Sequence, residues 1–124
     1  MQRPNTSVTV KNGTATDMAK MSRDKGARGE REVLDLYRKH GFDGTRGFQS
    51  GGQGGGDLVG NMPDIPEVKF VEALRFWDHV AQAAAAVTDG VGWCLWIRKS
   101  RQPWMVTVPY KRYMQLIELE REIG

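Results

Sequence analysis

Three charged residues near the middle of the chain have the types and the spacing for metal-dependent chemistry on phosphates. Asp57 begins one short apolar run, and Glu67 and Lys69 belong to a second run, Glu67–Phe70. In a strand, residues two apart share a face, so Glu67 and Lys69 should point the same way. A hairpin between the two runs would bring Asp57 alongside them. Mg²⁺ takes oxygen ligands and usually only one or two protein carboxylates, because waters and substrate phosphates complete its shell.

The lysine would supply positive charge beside such an ion. An ammonium can stabilise the negative charge that builds on an attacked phosphate, or help to orient the attacking water. Oxygen-only ligands suit Mg²⁺, with Mn²⁺ as the substitute, and do not suit zinc. The alternative for this segment is a solvated hairpin whose charges have no catalytic role.

Turn-forming residues separate the two runs and favour strand, turn, strand; they are Gly60, Asn61, Pro63, Asp64 and Pro66. Asp64 lies only three residues before Glu67, which is too short a gap for a return on a neighbouring strand. Asp57 has the room that Asp64 lacks. We therefore expect Asp57, and not Asp64, to join Glu67 at the site.

Length and composition limit the classes of protein that are possible. The 124 residues fit one domain, with 40% apolar and 27% charged residues, as in ordinary globular proteins. The net charge of +3 permits an anionic partner without demanding one. The single cysteine excludes an internal disulfide framework, and Cys94 is expected in the core. No apolar run is long enough to cross a membrane and no signal peptide is evident, so a cytoplasmic, DNA-associated location is expected.

The pattern of apolar residues predicts an α/β fold in which helices flank a mixed sheet. Residues 1–22 are expected to form a flexible basic arm, and residues 23–124 a single domain. The predicted order is α-β-β-β-α-β-β-α, over residues 26–40, 42–50, 57–59, 67–70, 71–88, 91–98, 104–108 and 110–123. A glycine-rich loop beginning at Gly51 precedes the second strand.

Some charged positions on the helices have two interpretations. Glu30 lies close to the apolar stripe of the first helix, either as a third acidic group facing the metal or as an acid that complements the helix dipole. On the fifth element, Arg75, His79 and Gln82 form one polar stripe, which faces either solvent or the metal and DNA. Seven basic residues against three acidic ones within residues 1–31 concentrate positive charge at the front of the chain.

Taken together, these motifs resemble one family. Lys25–Glu32 (KGARGERE) is similar to a KGxxxERE helix start, and Gly41-Phe42, Arg46 and Ser50-Gly51 match a GF…R…SG pattern. Asp57-Leu58-Val59 and Glu67-Val68-Lys69 complete the series. The combination resembles the archaeal-type Holliday junction resolvases, with their phage relatives, within the PD-(D/E)XK nucleases. The resemblance covers about residues 25–70.

The resemblance implies a PD-(D/E)XK core and the metal-dependent resolution of four-way DNA junctions by paired phosphodiester hydrolysis. Glu30, Asp57 and Glu67 would hold the metal, Lys69 would act in catalysis and Ser50 would assist. Two alternatives stay open. One is another nuclease of the same fold that acts on duplex or flapped DNA; the other is a non-catalytic DNA-binding module whose acidic cluster is structural.

The expected partners are DNA and a second copy of the chain. The candidate DNA contacts are Lys25, Arg28, Arg31, Arg46, Arg75 and Gln82. A four-way junction has near two-fold symmetry and one chain carries one site, so a symmetric homodimer is expected. Apolar surface for it would come from Trp93, Trp96 and Trp104 with Tyr113, Leu116 and Ile117. Alternatively, the tryptophans all belong to the monomer core.

Overall fold

The structure is a computed structural model that describes residues 4–47, 58–87 and 90–124, with side chains from residue 16 onward. In chain order the elements are α1 (Pro4–Lys39), β1 (Gly44–Arg46), β2 (Leu58–Gly60), β3 (Asp64–Phe70), α2 (Phe76–Ala85), β4 (Gly92–Arg98), β5 (Met105–Thr107) and α3 (Tyr110–Ile123). This order confirms the predicted α-β-β-β-α-β-β-α sequence and the α/β class. The bounds of α3 are those predicted for the last helix.

Helix α1 is much longer than predicted. It begins at Pro4 instead of residue 26, so most of the segment expected as an arm, residues 1–22, is helical. The C-terminal half of α1 is fixed by burial of Val33 and Leu34. Once that half has formed, each added residue gains a backbone hydrogen bond without a new nucleation cost, so the helix extends into a polar segment. The exposed pair Lys20–Asp24, at 2.8 Å and four residues apart, supports the extension.

The strands that the structure describes form two separate ladders. In one, β1 pairs antiparallel with β2, with Thr45 opposite Val59. The other has the order β3-β4-β5, in which β3–β4 is parallel and β4–β5 is antiparallel, so the sheet is mixed. A parallel pair needs a long crossover connection, which α2 provides between β3 and β4.

The predicted hairpin between the second and third strands is wrong, because β2 pairs with β1. Packing decides this pairing. Leu58 of β2 is 1% exposed and joins the core cluster with Val33 and Leu34 of α1. Gly60 permits the close approach of the two backbones, since a Cβ there would overlap the Asp43 carbonyl oxygen.

The core lies between α1 and β3. Gly29 of α1 comes so close to β3 that an added Cβ would lie 2.9 Å from Phe70 Cβ and 3.4 Å from Val68 Cγ1. Val68 and Phe70 therefore face α1. Because side chains alternate along a strand, Glu67 and Lys69 face the other side of the sheet, where α2 packs on β3 and β4.

Beneath α1, a short polar chain runs through the core. The Trp96 indole N–H donates to Tyr37 Oη at 3.0 Å, and Tyr37 Oη lies 3.6 Å from the sulfur of buried Cys94. Burial raises the pKa of the Cys94 thiol and also the pKa of Tyr37. Cys94 is therefore a core residue, as predicted.

The aromatic and apolar residues expected at a dimer surface divide into two groups. Trp93, Trp96 and Trp104 are half-buried, and the latter two pack against the core cluster of the monomer. By contrast, α3 has no buried residue, and its Tyr113, Leu116 and Ile117 are exposed. Within the described ranges, no helix is long and apolar enough to cross a membrane.

Candidate active site

Glu67 and Lys69 lie side by side on β3, as their spacing predicts. Lys69 Nζ is 3.7 Å from Glu67 Oε2, and the two side chains are only 24% and 12% exposed. A charge-assisted hydrogen bond is shorter, at about 2.7–2.9 Å, so these two groups attract each other electrostatically but do not form a close hydrogen bond with each other. The pair places one carboxylate and one ammonium on the α2 side of the sheet.

Glu30 of α1 is a buried carboxylate, with 8% of its surface exposed. Arg46 Nε of β1 donates a hydrogen bond to Glu30 Oε1 at 2.8 Å. A carboxylate at this depth needs such a partner, because an uncompensated buried charge is strongly destabilising. Arg46 pairs across the ribbon with Leu58, the residue after Asp57. Glu30 is thus tied to the β1–β2 ribbon.

The candidate site therefore draws on two pieces of the fold. Glu67 and Lys69 belong to β3, which is an edge strand among the described ladders, while Glu30 comes from α1 on the other face of that sheet. Among the described strands, β3 is hydrogen-bonded to β4 on one side only, so groups from the two faces can meet at its other edge. In the part of the chain that the structure describes, no three His, Cys, Asp or Glu side chains gather closely enough to hold a metal ion. Asp57 and Ser50 lie outside the described residues, so the ligand set stays a prediction.

The donors that are described nonetheless fit a hard cation. Glu30 and Glu67 offer carboxylate oxygens, and Mg²⁺ or Mn²⁺ needs few protein ligands beyond these. With Asp57 as the third, the set would contain oxygen alone.

The polar stripe of α2 divides in two. Arg75 and Gln82 are exposed, and Arg75 pairs with Asp78 at 2.7 Å, as a solvated face would. His79 instead turns inward, with its ring nitrogens inaccessible to water. Burial first, and then the positive charge of Lys69, lower the pKa of His79, which is therefore neutral at pH 7. His79 was not among the predicted site residues. It could have been selected because a helix that packs on β3 must direct one of its polar positions toward Lys69.

The candidate DNA contacts on α1 gather around one aromatic ring. Lys25 Nζ and the guanidinium carbon of Arg28 lie 4.9 Å and 5.3 Å from the centroid of Phe70, within cation–π range. Arg98 of β4 joins them at 4.5 Å. Arg31 is exposed on α1. The structure thus brings Lys25 and Arg28 together with an arginine that sequence reasoning had not selected.

Glu32 fixes this cluster. Its Oε1 accepts hydrogen bonds from Arg98 at 2.7 Å and from the Trp104 indole at 3.0 Å, and its Oε2 accepts one from Arg28 at 2.8 Å. Burial opposes ionisation of Glu32, but the hydrogen bonds from Arg28 and Trp104 outweigh it and lower the pKa. Glu30 and Glu32 therefore differ in their surroundings: Glu30 meets the ribbon, and Glu32 joins α1 to β4.

Asp64, at the start of β3, has a partner of its own. Arg112 Nε of α3 donates to Asp64 Oδ2 at 2.8 Å, and both side chains are largely buried. This contact attaches α3 to the sheet. The prediction that Asp64 is dispensable for chemistry is untested, but the contact gives Asp64 a structural function.

Comparison with known proteins adds no relative, because no family model, curated protein or solved structure matches this chain.

Proposed function

We propose that this chain is a metal-dependent DNA nuclease with a PD-(D/E)XK core that resolves four-way junctions. The observation that carries the proposal is the Glu67–Lys69 pair, which is largely buried on one face of β3 with 3.7 Å between Nζ and Oε2. The low exposure of both side chains distinguishes them from the solvated charges of a surface hairpin, because removing charges from water is costly. The motif resemblance over residues 25–70 supplies the substrate class.

In this mechanism Glu67 and Asp57 would hold the ion, and Glu30 would complete the set directly or through water. The ion, Mg²⁺ or Mn²⁺ in its place, would supply Lewis-acid stabilisation of the phosphate and a lower pKa for the attacking water. Lys69 lies beside the Glu67 carboxylate, where its ammonium stabilises the charge that develops in the transition state. Arg46 holds Glu30 in orientation, and Ser50 assists.

A junction-cleavage assay tests the proposal. A synthetic four-way junction and a linear duplex of the same sequence are incubated with the protein and Mg²⁺, with chelator as the metal-free control. We expect paired nicks in the junction only, and loss of nicking in Glu67→Gln. Glu118→Gln, at an exposed position on α3, is the matched control and should cut normally.

The rival functions give different results in that assay. Equal cutting of linear duplex would favour a nuclease of the same fold with another substrate. Binding without cutting under all metal conditions would favour the DNA-binding module. Normal cutting by Glu67→Gln would refute the assignment of the site.

The proposal includes a symmetric homodimer acting in the cytoplasm of a prokaryotic or phage-infected cell. Paired nicks need two sites, and each chain carries one. Helix α3 supports a second copy as the partner. Isolated helices of its length are marginal in water, yet its 14 residues include none that is buried, and Leu116 and Ile117 are exposed. A second copy would cover the same stripe on both chains.

Light scattering at micromolar concentration tests the dimer. We expect twice the 13.9 kDa chain mass for the wild type, and the monomer mass with unpaired nicks for Leu116→Glu. A wild-type monomer that cuts both strands of a junction in one encounter would refute the dimer.

A further inference from the structure

The turn between β4 and β5, Lys99–Gln102, is held in place by several hydrogen bonds. The backbone amide of Gln102 donates to the backbone carbonyl of Lys99 at 3.1 Å, and Arg98 Nε donates to the backbone carbonyl of Gln102 at 2.8 Å. Ser100 donates twice to Glu72 Oε2, from its amide at 2.9 Å and from its hydroxyl at 2.6 Å. The turn is therefore a fixed structure and not a loose connection.

Glu72 is the centre of this arrangement. Its Oε2 also accepts a hydrogen bond from Lys25 of α1, so one carboxylate joins the turn to the helix that carries Glu30. The hydrogen bonds from Lys25 and from Ser100 lower the pKa of Glu72 to about 2, so the carboxylate is ionised at all ordinary pH values.

Two cations of the turn are directed outward. Lys99 and Arg101 are exposed, and neither forms a salt bridge with any residue that the structure describes. Arg101 has a φ of 67°, the left-handed region that favours glycine or asparagine. Such a backbone persists only where the surroundings determine it, and these positions cluster at functional sites.

Positive charge is concentrated around this turn. Five cations, Lys25, Arg28, Arg98, Lys99 and Arg101, lie on the turn or around Phe70, against the two carboxylates Glu32 and Glu72. Their net charge of three equals the formal net charge of +3 for the whole chain. Phe70 faces α1, so this basic surface lies on the α1 side of the sheet, the side from which Glu30 comes, and the Glu67–Lys69 pair lies on the other side.

We propose that the Lys99–Gln102 turn binds the phosphate backbone of duplex DNA on the α1 side of the sheet, with Lys99 and Arg101 each contacting a phosphate. The proposal rests on the proposed function in taking DNA as the substrate. Two exposed cations on a turn that hydrogen bonds hold in place can each contact a phosphate, and contacts of this kind position the duplex without selecting its sequence. Glu72 is a positioning residue, because its carboxylate accepts the hydrogen bonds that orient the turn. Its negative charge is balanced by the ammonium of Lys25.

The salt dependence of DNA binding tests this assignment. Fluorescence anisotropy with a labelled duplex, in chelator so that no cutting occurs, gives the dissociation constant from about 50 to 200 mM NaCl. In Lys99→Gln and in Arg101→Asn we expect the slope of log affinity against log salt to decrease by about 1 each. The affinity at 0.1 M salt should decrease about eightfold for each contact that is lost. Asparagine tolerates the left-handed backbone, so Arg101→Asn should fold normally.

Lys39→Gln is the matched control, because it removes the same charge from an exposed position 11 residues beyond Arg28 on α1. That spacing is about 16 Å along the helix. We expect its slope to equal that of the wild type. Equal slopes in wild type, Lys99→Gln and Arg101→Asn would overturn the inference. If the wild type still cuts junctions, the proposed function survives that result. If the protein never cuts junctions but the slope of log affinity against log salt decreases in these variants, the nuclease proposal is refuted and the turn remains a DNA-binding site.

Discussion

Replacing Gly29 by alanine would test how closely α1 approaches β3. A Cβ at this buried position would lie 2.9 Å from Phe70 Cβ and 3.4 Å from both Trp104 and Val68, so α1 or β3 must move. Alanine favours a helix interior over glycine by about 1 kcal/mol. Overpacking a filled core costs about 1–3 kcal/mol. The free energy of unfolding should therefore fall, by as much as about 2 kcal/mol.

Gly26→Ala is the matched control, because a Cβ there would meet nothing within 4 Å. Only the helix propensity remains, so this variant should gain about 1 kcal/mol, or about 3–5 °C in melting temperature. The difference between the two variants isolates the packing cost. Urea unfolding, with the m-value checked for constancy, measures both variants.

The same pair of variants tests the site. Glu30 follows Gly29 on α1, so a displaced helix should move that carboxylate and slow junction cleavage in Gly29→Ala but not in Gly26→Ala. Equal stabilisation by both alanines would refute the close approach of α1 to β3. Lower stability with an unchanged cleavage rate would refute the link between this approach and the site.

Three other variants separate chemistry from structure. Lys69→Ala should reduce the cleavage rate by about a hundredfold or more with little change in melting temperature; a large melting change at normal rate would make the Glu67 pair structural. Asp64→Asn should cut normally but lose about 1–3 kcal/mol of unfolding free energy, because the charged bond from Arg112 is weakened; a null cleavage phenotype would contradict this. The pKa of Glu72 is lowered from 4.5 to about 2, so its contribution to stability is full above pH 4.5 and is lost as the pH falls toward 2. Melting curves of Glu72→Gln should show a weaker pH dependence in that interval, and an unchanged one would contradict the prediction.

The sequence allowed the elements to be predicted better than the pairing of the strands. Pro109 and the apolar stripe locate α3. The apolar run from Glu67 locates only the second half of β3, because the strand begins at Asp64 and includes Asp64 and Pro66, which were predicted as turn residues. Turn residues between Gly60 and Asp64 indicate a turn, but they do not determine which strand lies beside each run. That choice depends on the burial of Leu58 against α1 and on the contact of Gly60 with the backbone of Asp43, which are tertiary interactions. Gly60 was predicted as a turn residue, and the structure makes it the last residue of β2, so its type alone did not reveal the approach.

The candidate site was predictable where spacing along one element fixes the geometry. Glu67 and Lys69 share a face because they are two apart on a strand. The Arg46–Glu30 hydrogen bond joins residues 16 positions apart, and the Arg98–Glu32 hydrogen bond joins residues 66 positions apart. The inward orientation of His79 depends on how α2 packs on the sheet. No local pattern encodes those contacts, so they required the fold.

The reactivity of the Cys94 thiol can report how often the folded protein opens. It is the only thiol in the chain, and it lies on β4, the middle strand of the β3-β4-β5 ladder. Thiol reagents react with the thiolate, which burial disfavours here, so labelling must wait until the sheet separates from α1. The labelling rate of the unmodified protein thus measures the population of opened molecules. Slower labelling in the presence of a divalent ion or a DNA junction would give the stabilisation that each provides, without any engineered probe.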